Sequence, residues 1–304
     1  MKILVTGSNG TIGTRLCEQL LEKGQEVSGL DIKANEWQES VDKITAKADL
    51  RQPGAFAKAP ADADMLVHLA ANAMVNPSVE NPQLAMDNMQ TVFNALEFAR
   101  KKDIKRFIFA SSREVYGNTE QPLHREEDAD VEKAESPYSA TKLAGEAMVR
   151  AYHACYGIDF IIIRYSNVYG MYDNSHRLIP ASIRRAARGE PLQVYGRDKL
   201  LDFTYIDDSV AGTMLAMEKF RTARNEAYNI AYGRGSTIIE VVEQINRLLG
   251  NKSRVVVTEP RAGEVIKYIA DISKARERLG YEPKVALEQG IKRAIDWFRQ
   301  RGLI

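Results

Sequence analysis

Near its start the chain runs an apolar stretch, KILVT, straight into GSNGTIG, then into apolar positions at helical spacing: Ile12, Leu16 and Leu20. Gly7, Gly10 and Gly13 therefore lie three apart between a strand and a helix. Glycine permits a tight turn and close approach of a ligand to the backbone, and the first turn of a helix has N–H groups without internal partners. A phosphate suits such a place. The spacing alone also suits an ordinary surface turn, so the flanking strand and helix carry the reading.

Short apolar runs and amphipathic helical segments go on alternating. Strands are predicted at EVSGLDI (26–32), KITAKADL (43–50), DMLVHLA (64–70), RFIFASS (106–112) and FIIIRYSNVYG (160–170), with long helices at 82–102 and 138–156. This pattern predicts an α/β fold with a Rossmann-type doubly wound parallel sheet. Residues 1–170 are expected to form the cofactor-binding domain, with segments near 202–232 returning to it. Residues 171–304, punctuated by Pro180, Pro191, Pro260 and Pro283, form mainly a smaller mixed α/β substrate-binding region. The acidic stretch 118–137 reads as a solvated connection that can also lie over the active-site mouth.

With 42 basic and 41 acidic residues among 304, the formal charge is +1, and no field draws in nucleic acid or an anionic membrane. No apolar run approaches the ~20 residues that span a bilayer. The strand pattern beginning at residue 2 leaves no room for a secretory signal, and a cytoplasmic location is expected. Cys17 and Cys155 are too few for a disulfide framework and read as small packing residues. His68, His124, His153 and His176 lack ligand spacing, so no metal site is expected, and His68 reads as a core residue.

Asp31 ends the second strand 24 residues beyond Gly7. An acidic residue about 20 residues on accepts hydrogen bonds from an adenosine ribose and repels a 2′-phosphate, which favours NAD over NADP. Lys33, two residues further, works against that repulsion. In SPYSATKLAGE, Tyr138 and Lys142 stand four apart on one helix face. A neighbouring ammonium and a nicotinamide's positive charge stabilise a phenolate, so Tyr138 can take a hydroxyl proton as hydride leaves the same carbon. Ser112, at the carboxyl end of a strand, can bind the same oxygen.

GSNGTIG, Asp31, HLAANA, SSREVYG, YSATK, RYSNVYG, DFTYIDD and RAGE together resemble the extended short-chain dehydrogenase/reductase family, in its nucleotide-sugar epimerase/dehydratase branch. The likeness covers essentially the whole chain. It implies that Ser112, Tyr138 and Lys142 are the catalytic trio. It implies NAD contacts from Gly7, Asn9, Gly10, Thr11, Ile12 and Gly13, from Asp31 and Ile32, from Asp49 and Leu50 along the adenine, and from Tyr138 and Lys142 themselves. Leu69, Ala70 and Ala71 would follow the cofactor's middle with Asn88 nearby, and Tyr165 would stand by the nicotinamide. It further implies that Asn167 and Arg261 hold the substrate's diphosphate and that Gln193 and Tyr195 cradle the base. A homodimer pairing through helices 82–102 and 138–156 is also implied.

The expected activity is an NAD-dependent 4-epimerase of the UDP-glucose/UDP-galactose type, with a UDP-hexose as partner. Three departures bear on this. Arg113 and Glu114 stand where dehydratases of the family carry an Asp–Glu pair, and arginine cannot donate a proton at neutral pH. Decarboxylases acting on UDP-glucuronate also keep the glutamate, so that reaction and a keto-sugar reduction stay open, as does an NAD-sensing regulator without catalysis. Alternatively, Arg113 and Glu114 form a structural ion pair. Leu201 replaces an arginine that usually contacts the diphosphate, leaving Arg177 or Arg197 to compensate. Tyr268, seven residues beyond Arg261, is expected to narrow the sugar pocket against N-acetyl groups.

Overall fold

Seven strands make one parallel sheet: β1 (Lys2–Thr6), β2 (Glu26–Asp31), β3 (Thr45–Lys47), β4 (Met65–His68), β5 (Arg106–Ser112), β6 (Asp159–Tyr165) and β7 (Glu226–Ile230). Their order is β7-β6-β5-β4-β1-β2-β3 in this computed structural model, which describes residues 1–52 and 54–304. Helices cover both faces: α1 (Thr11–Glu22) and α4 (Ile206–Glu218) pack together on one, α2 (Gln83–Lys101) and α3 (Pro137–Tyr156) on the other. Two cores result. Strand period 2 sends Ile3, Val5, Ile161 and Ile163 into one, and Leu4, Phe160 and Ile162 into the other.

The order reverses at β1, whose neighbours are β2 and β4. Ligands of doubly wound sheets bind beyond the carboxyl ends of the strands at such a reversal. Gly7–Gly13, the segment after His68 and the end of β5 at Ser112 all lie at that edge. The helix α3 that carries Tyr138 starts on a capping box between Ser136 and Ser139 with Pro137 in its first turn, and stops at Gly157 in the left-handed region.

A second sheet centres on Leu200–Tyr205, paired with Gly235–Thr237 and Lys267–Ala270, the latter also with Leu123–His124. Here the structure corrects the sequence reading. The stretch 160–170 is two strands, because the chain leaves the first sheet at Ser166, whose hydroxyl bonds the Asp202 carbonyl, and Asn167–Tyr169 pairs with Phe203–Tyr205. The acidic stretch 118–137 is more than a solvated connection, since it adds Leu123–His124 to the second sheet and buries His124 and Glu126. The third strand is short because Glu39–Lys43 is helical. Cys17 is buried, but Cys155 is exposed and does not pack. His68 is buried against the Thr6 hydroxyl at 2.8 Å, and burial holds its pKa down to about 3. Among the described residues no helix is long and apolar enough to cross a membrane.

Candidate active site

The three glycines of the first turn have different jobs. Gly7 has φ +71°, and a Cβ there would sit 2.7 Å from the Ala70 nitrogen; one at Gly13 would sit 2.0 Å from the Gly7 carbonyl oxygen. Gly7 is demanded by its left-handed backbone and the segment that follows β4, and Gly13 by the packing of the helix on the turn. At Gly10 only the Gly7 oxygen, at 3.3 Å, comes near, so this Cα faces open space that a side chain would fill. Helix α1 begins immediately after it with no side-chain cap and no acidic residue in its first turn. Thr14 is the first residue to donate back along the helix, to the Gly10 carbonyl at 2.8 Å. The amides of Thr11, Ile12 and Gly13 precede that bond, and with the helix dipole they suit a pyrophosphate.

Asp31 is fixed at the end of β2 by the amides of Asn9 at 2.9 Å and Lys33 at 3.0 Å, with Ile32 exposed beside it. Asn9 is itself held by the Lys33 carbonyl and by Asn35, which also reaches Thr14. Leu69, Ala70 and Ala71 follow β4 half-buried. Leu50 is buried, and Asp49 is taken up by a two-pronged ion pair with Arg51 at 2.7 and 2.8 Å. The buried Asn88 accepts from the Asn72 amide at 2.7 Å and donates to its carbonyl at 3.2 Å, so it shapes the loop after β4. The cradle as a whole fits a dinucleotide.

Ser112, Tyr138 and Lys142 come together, all at most 8% exposed. The Lys142 ammonium sits 5.7 Å from the centre of the Tyr138 ring and donates to the Ala110 carbonyl at 2.7 Å. Burial draws its pKa down to about 8, against the pull of Glu146. Burial raises the Tyr138 pKa; a hydrogen bond with Ser112 and the charge of Arg177 oppose the rise, Glu114 adds to it and Arg113 opposes it. Tyr165 is buried, its hydroxyl 2.6 Å from that of Thr213.

On the substrate side, Arg113 and Glu114 do pair, at 2.7 Å. Arg113 also donates to Asn167 Oδ1 at 3.2 Å, and the Asn167 amide donates to the Asp202 carbonyl at 2.8 Å, so this asparagine is engaged at both ends. Arg177 reaches the Ala73 carbonyl at 3.0 Å. The Arg261 guanidinium lies 3.7 Å over the centre of the Tyr195 ring, occupying a face expected to meet the base; Gln193 is half-buried two residues earlier. Leu201 is in the core. Tyr268 is fully buried, its ring committed to a stack on His124 at 5.7 Å and Tyr116 at 5.6 Å.

A sequence profile of the NAD-dependent epimerase/dehydratase family matches residues 3–231. The chain belongs to this family. A UDP-glucuronate 4-epimerase of Thermodesulfobacterium geofontis is 31% identical to it, over 98% of this chain and 96% of that protein. A dTDP-glucose 4,6-dehydratase of Haemophilus influenzae is 31% identical, over 98% of each. The crystal structure of UDP-glucuronic acid 4-epimerase from Bacillus cereus, in complex with UDP-glucuronic acid and NAD, superposes with a TM-score of 0.90 at 28% identity, covering 99% of this chain and 100% of that one. The cofactor of this epimerase/dehydratase is NAD.

Sequence reasoning missed a buried network behind this epimerase/dehydratase's trio. Glu146, one turn beyond Lys142, takes two bonds from Arg164 at 2.9 and 2.7 Å and one from the Ser111 hydroxyl at 2.6 Å. Ser111 and Arg164 are register partners on β5 and β6. The spacing of Tyr138, Lys142 and Glu146 at i, i+4 and i+8 was the available signal.

Proposed function

We propose that this enzyme is a nucleotide-sugar 4-epimerase acting on UDP-glucose and UDP-galactose. The observation that carries the reading is the Tyr138–Ser112–Lys142 cluster next to an arginine, Arg113, that is ion-paired where dehydration would need an acid. Tyr138 takes the proton of the sugar's 4-hydroxyl and later returns it, while Ser112 bonds the same oxygen and the Lys142 ammonium stabilises the phenolate. NAD, when bound, accepts the hydride, gives it back, and adds a positive charge that offsets the effect of burial on Tyr138. Return to the other face of the 4-keto sugar inverts the centre, and nothing is consumed.

The test is incubation with a panel of sugar nucleotides, without added NAD, and separation of the products. Interconversion of UDP-glucose and UDP-galactose is expected. Release of carbon dioxide, loss of water or accumulation of free NADH would each replace this reading with a decarboxylase, a dehydratase or a dehydrogenase.

Arg177 is proposed to serve the diphosphate in place of the arginine lost at Leu201, because its charge is felt at Tyr138 whereas Arg197 is exposed. Losing a charge-assisted hydrogen bond is worth about 1.5–3 kcal/mol, so Arg177→Ala should raise KM roughly tenfold or more. Arg197→Ala should leave KM near wild type; equal KM values for the two variants refute the assignment. The exposed Met86 and Phe93 on α2 and Tyr156 on α3 are the apolar surface that a homodimer through these helices would cover.

A further inference from the structure

Three buried polar atoms beside the trio have no partner among the described residues: Arg113 Nη1, Glu114 Oε2 and the Tyr268 hydroxyl. They are neighbours. Arg113 pairs with Glu114 through Nη2 at 2.7 Å, and its guanidinium lies 5.8 Å from the centre of the Tyr268 ring. Arg113 Nε is fixed on Asn167 at 3.2 Å, and the Glu114 amide donates to the Ser112 hydroxyl oxygen at 3.2 Å. Glu114 is 3% and Tyr268 0% exposed, so bulk water does not complete their bonding. Buried polar groups ordinarily find partners, and three orphans on neighbouring side chains mark a place where something belongs.

The leftover valences describe that something. Two donors, Arg113 Nη1–H and Tyr268 O–H, stand beside one acceptor, Glu114 Oε2. A hydroxyl accepts and donates, and so satisfies both kinds. A carboxylate only accepts, and it would set a second negative charge against Glu114 in a buried space, where like charges are costly. Lys199, the other cation flanking Glu114, is already paired with Glu264 at 2.8 Å, and Glu264 flanks Glu114 too.

We infer that Arg113, Glu114 and Tyr268 form a subsite for a neutral hydroxyl carried beside the reacting carbon, and that Glu114, by masking Arg113, excludes a carboxylate there. The inference rests on the epimerase reading above and names its substrate class: a hexose with its hydroxymethyl group rather than a uronate.

The experiment compares kcat/KM for UDP-glucose and UDP-glucuronate in the NAD-loaded protein. Wild type should prefer the hexose by about tenfold or more, and Glu114→Gln, which keeps the shape and unmasks Arg113, should move the ratio at least about tenfold toward the uronate. Tyr268→Phe removes only an unpartnered hydroxyl, so it should keep the wild-type Tm while raising KM for the hexose roughly three- to tenfold. A wild-type preference for the uronate, a ratio unmoved in Glu114→Gln, or an unchanged KM in Tyr268→Phe overturns the subsite. If neither sugar is turned over, the epimerase reading fails. Calorimetric affinities of the two sugar nucleotides then decide the subsite alone: hexose tighter in wild type and the order narrowed in Glu114→Gln support it, and equal affinities overturn it.

Discussion

Tyr138→Phe is expected to lower kcat by about 10²–10⁴-fold, the usual worth of a positioned acid–base group, while NAD stays bound. The variant deletes one oxygen. That oxygen lies near Ser112, and the ring remains buried beside Lys142, so the fold and the cofactor cradle at Gly7–Gly13 keep their contacts. The cradle is built from glycine turns, first-turn amides and Asp31, none of which touches the phenol. The check is single-turnover epimerisation at saturating substrate, beside the NAD content of the denatured protein. Activity within tenfold of wild type at unchanged NAD content would falsify Tyr138 as the base. Loss of both activity and NAD would instead make Tyr138 a cofactor contact. Lys142→Met should fall by a comparable factor, because the two act as one unit and their effects do not add.

What could be read in the sequence was what local spacing dictates. β1, β5 and β6 announce themselves because strands buried on both faces carry near-continuous apolar runs. Tyr138 and Lys142 are legible as a pair because a helix turns four-residue spacing into proximity. The Arg113–Glu114 ion pair is between adjacent residues and was visible as one of two readings. What escaped depends on partners far along the chain. SNVYG after β6 is as strand-prone as what precedes it, and only the distant Asp202 carbonyl decides that it joins another sheet. Leu123–His124 becomes a strand because Lys267–Ala270 arrives beside it. Tyr195 offered an aromatic face for a base; that Arg261 covers it follows from how two loops of the second region meet. Nothing near Tyr268 in sequence foretells its stack with His124 and Tyr116.

The same distinction locates the largest expected stability effect. Arg164→Met should cost about 3–5 kcal/mol, the range for stripping one partner from a buried ion pair. Arg164 and Glu146 are 3% and 5% exposed, so the surviving carboxylate would keep only the Ser111 hydroxyl as partner. The Tyr116 hydroxyl and the Glu126 carbonyl lose a donor as well, at 3.1 and 2.6 Å. Chemical denaturation at neutral pH measures the loss, and a change below about 1 kcal/mol would mean that water or a neighbour replaces the guanidinium. The double variant Arg164→Met, Glu146→Leu separates charge from shape. With no buried charge left unpaired, it should recover most of the stability, since apolar replacements of buried pairs are often neutral or better. Activity should not recover with it. Ser111 lies between Ala110, whose carbonyl holds Lys142, and Ser112, whose hydroxyl lies near Tyr138, and Glu146 is the tie that fastens this strand end to the helix carrying Tyr138. A stable double variant with a lowered kcat and an unchanged KM therefore identifies the pair as positioning the trio, whereas a double variant with wild-type kcat reduces it to a structural bolt.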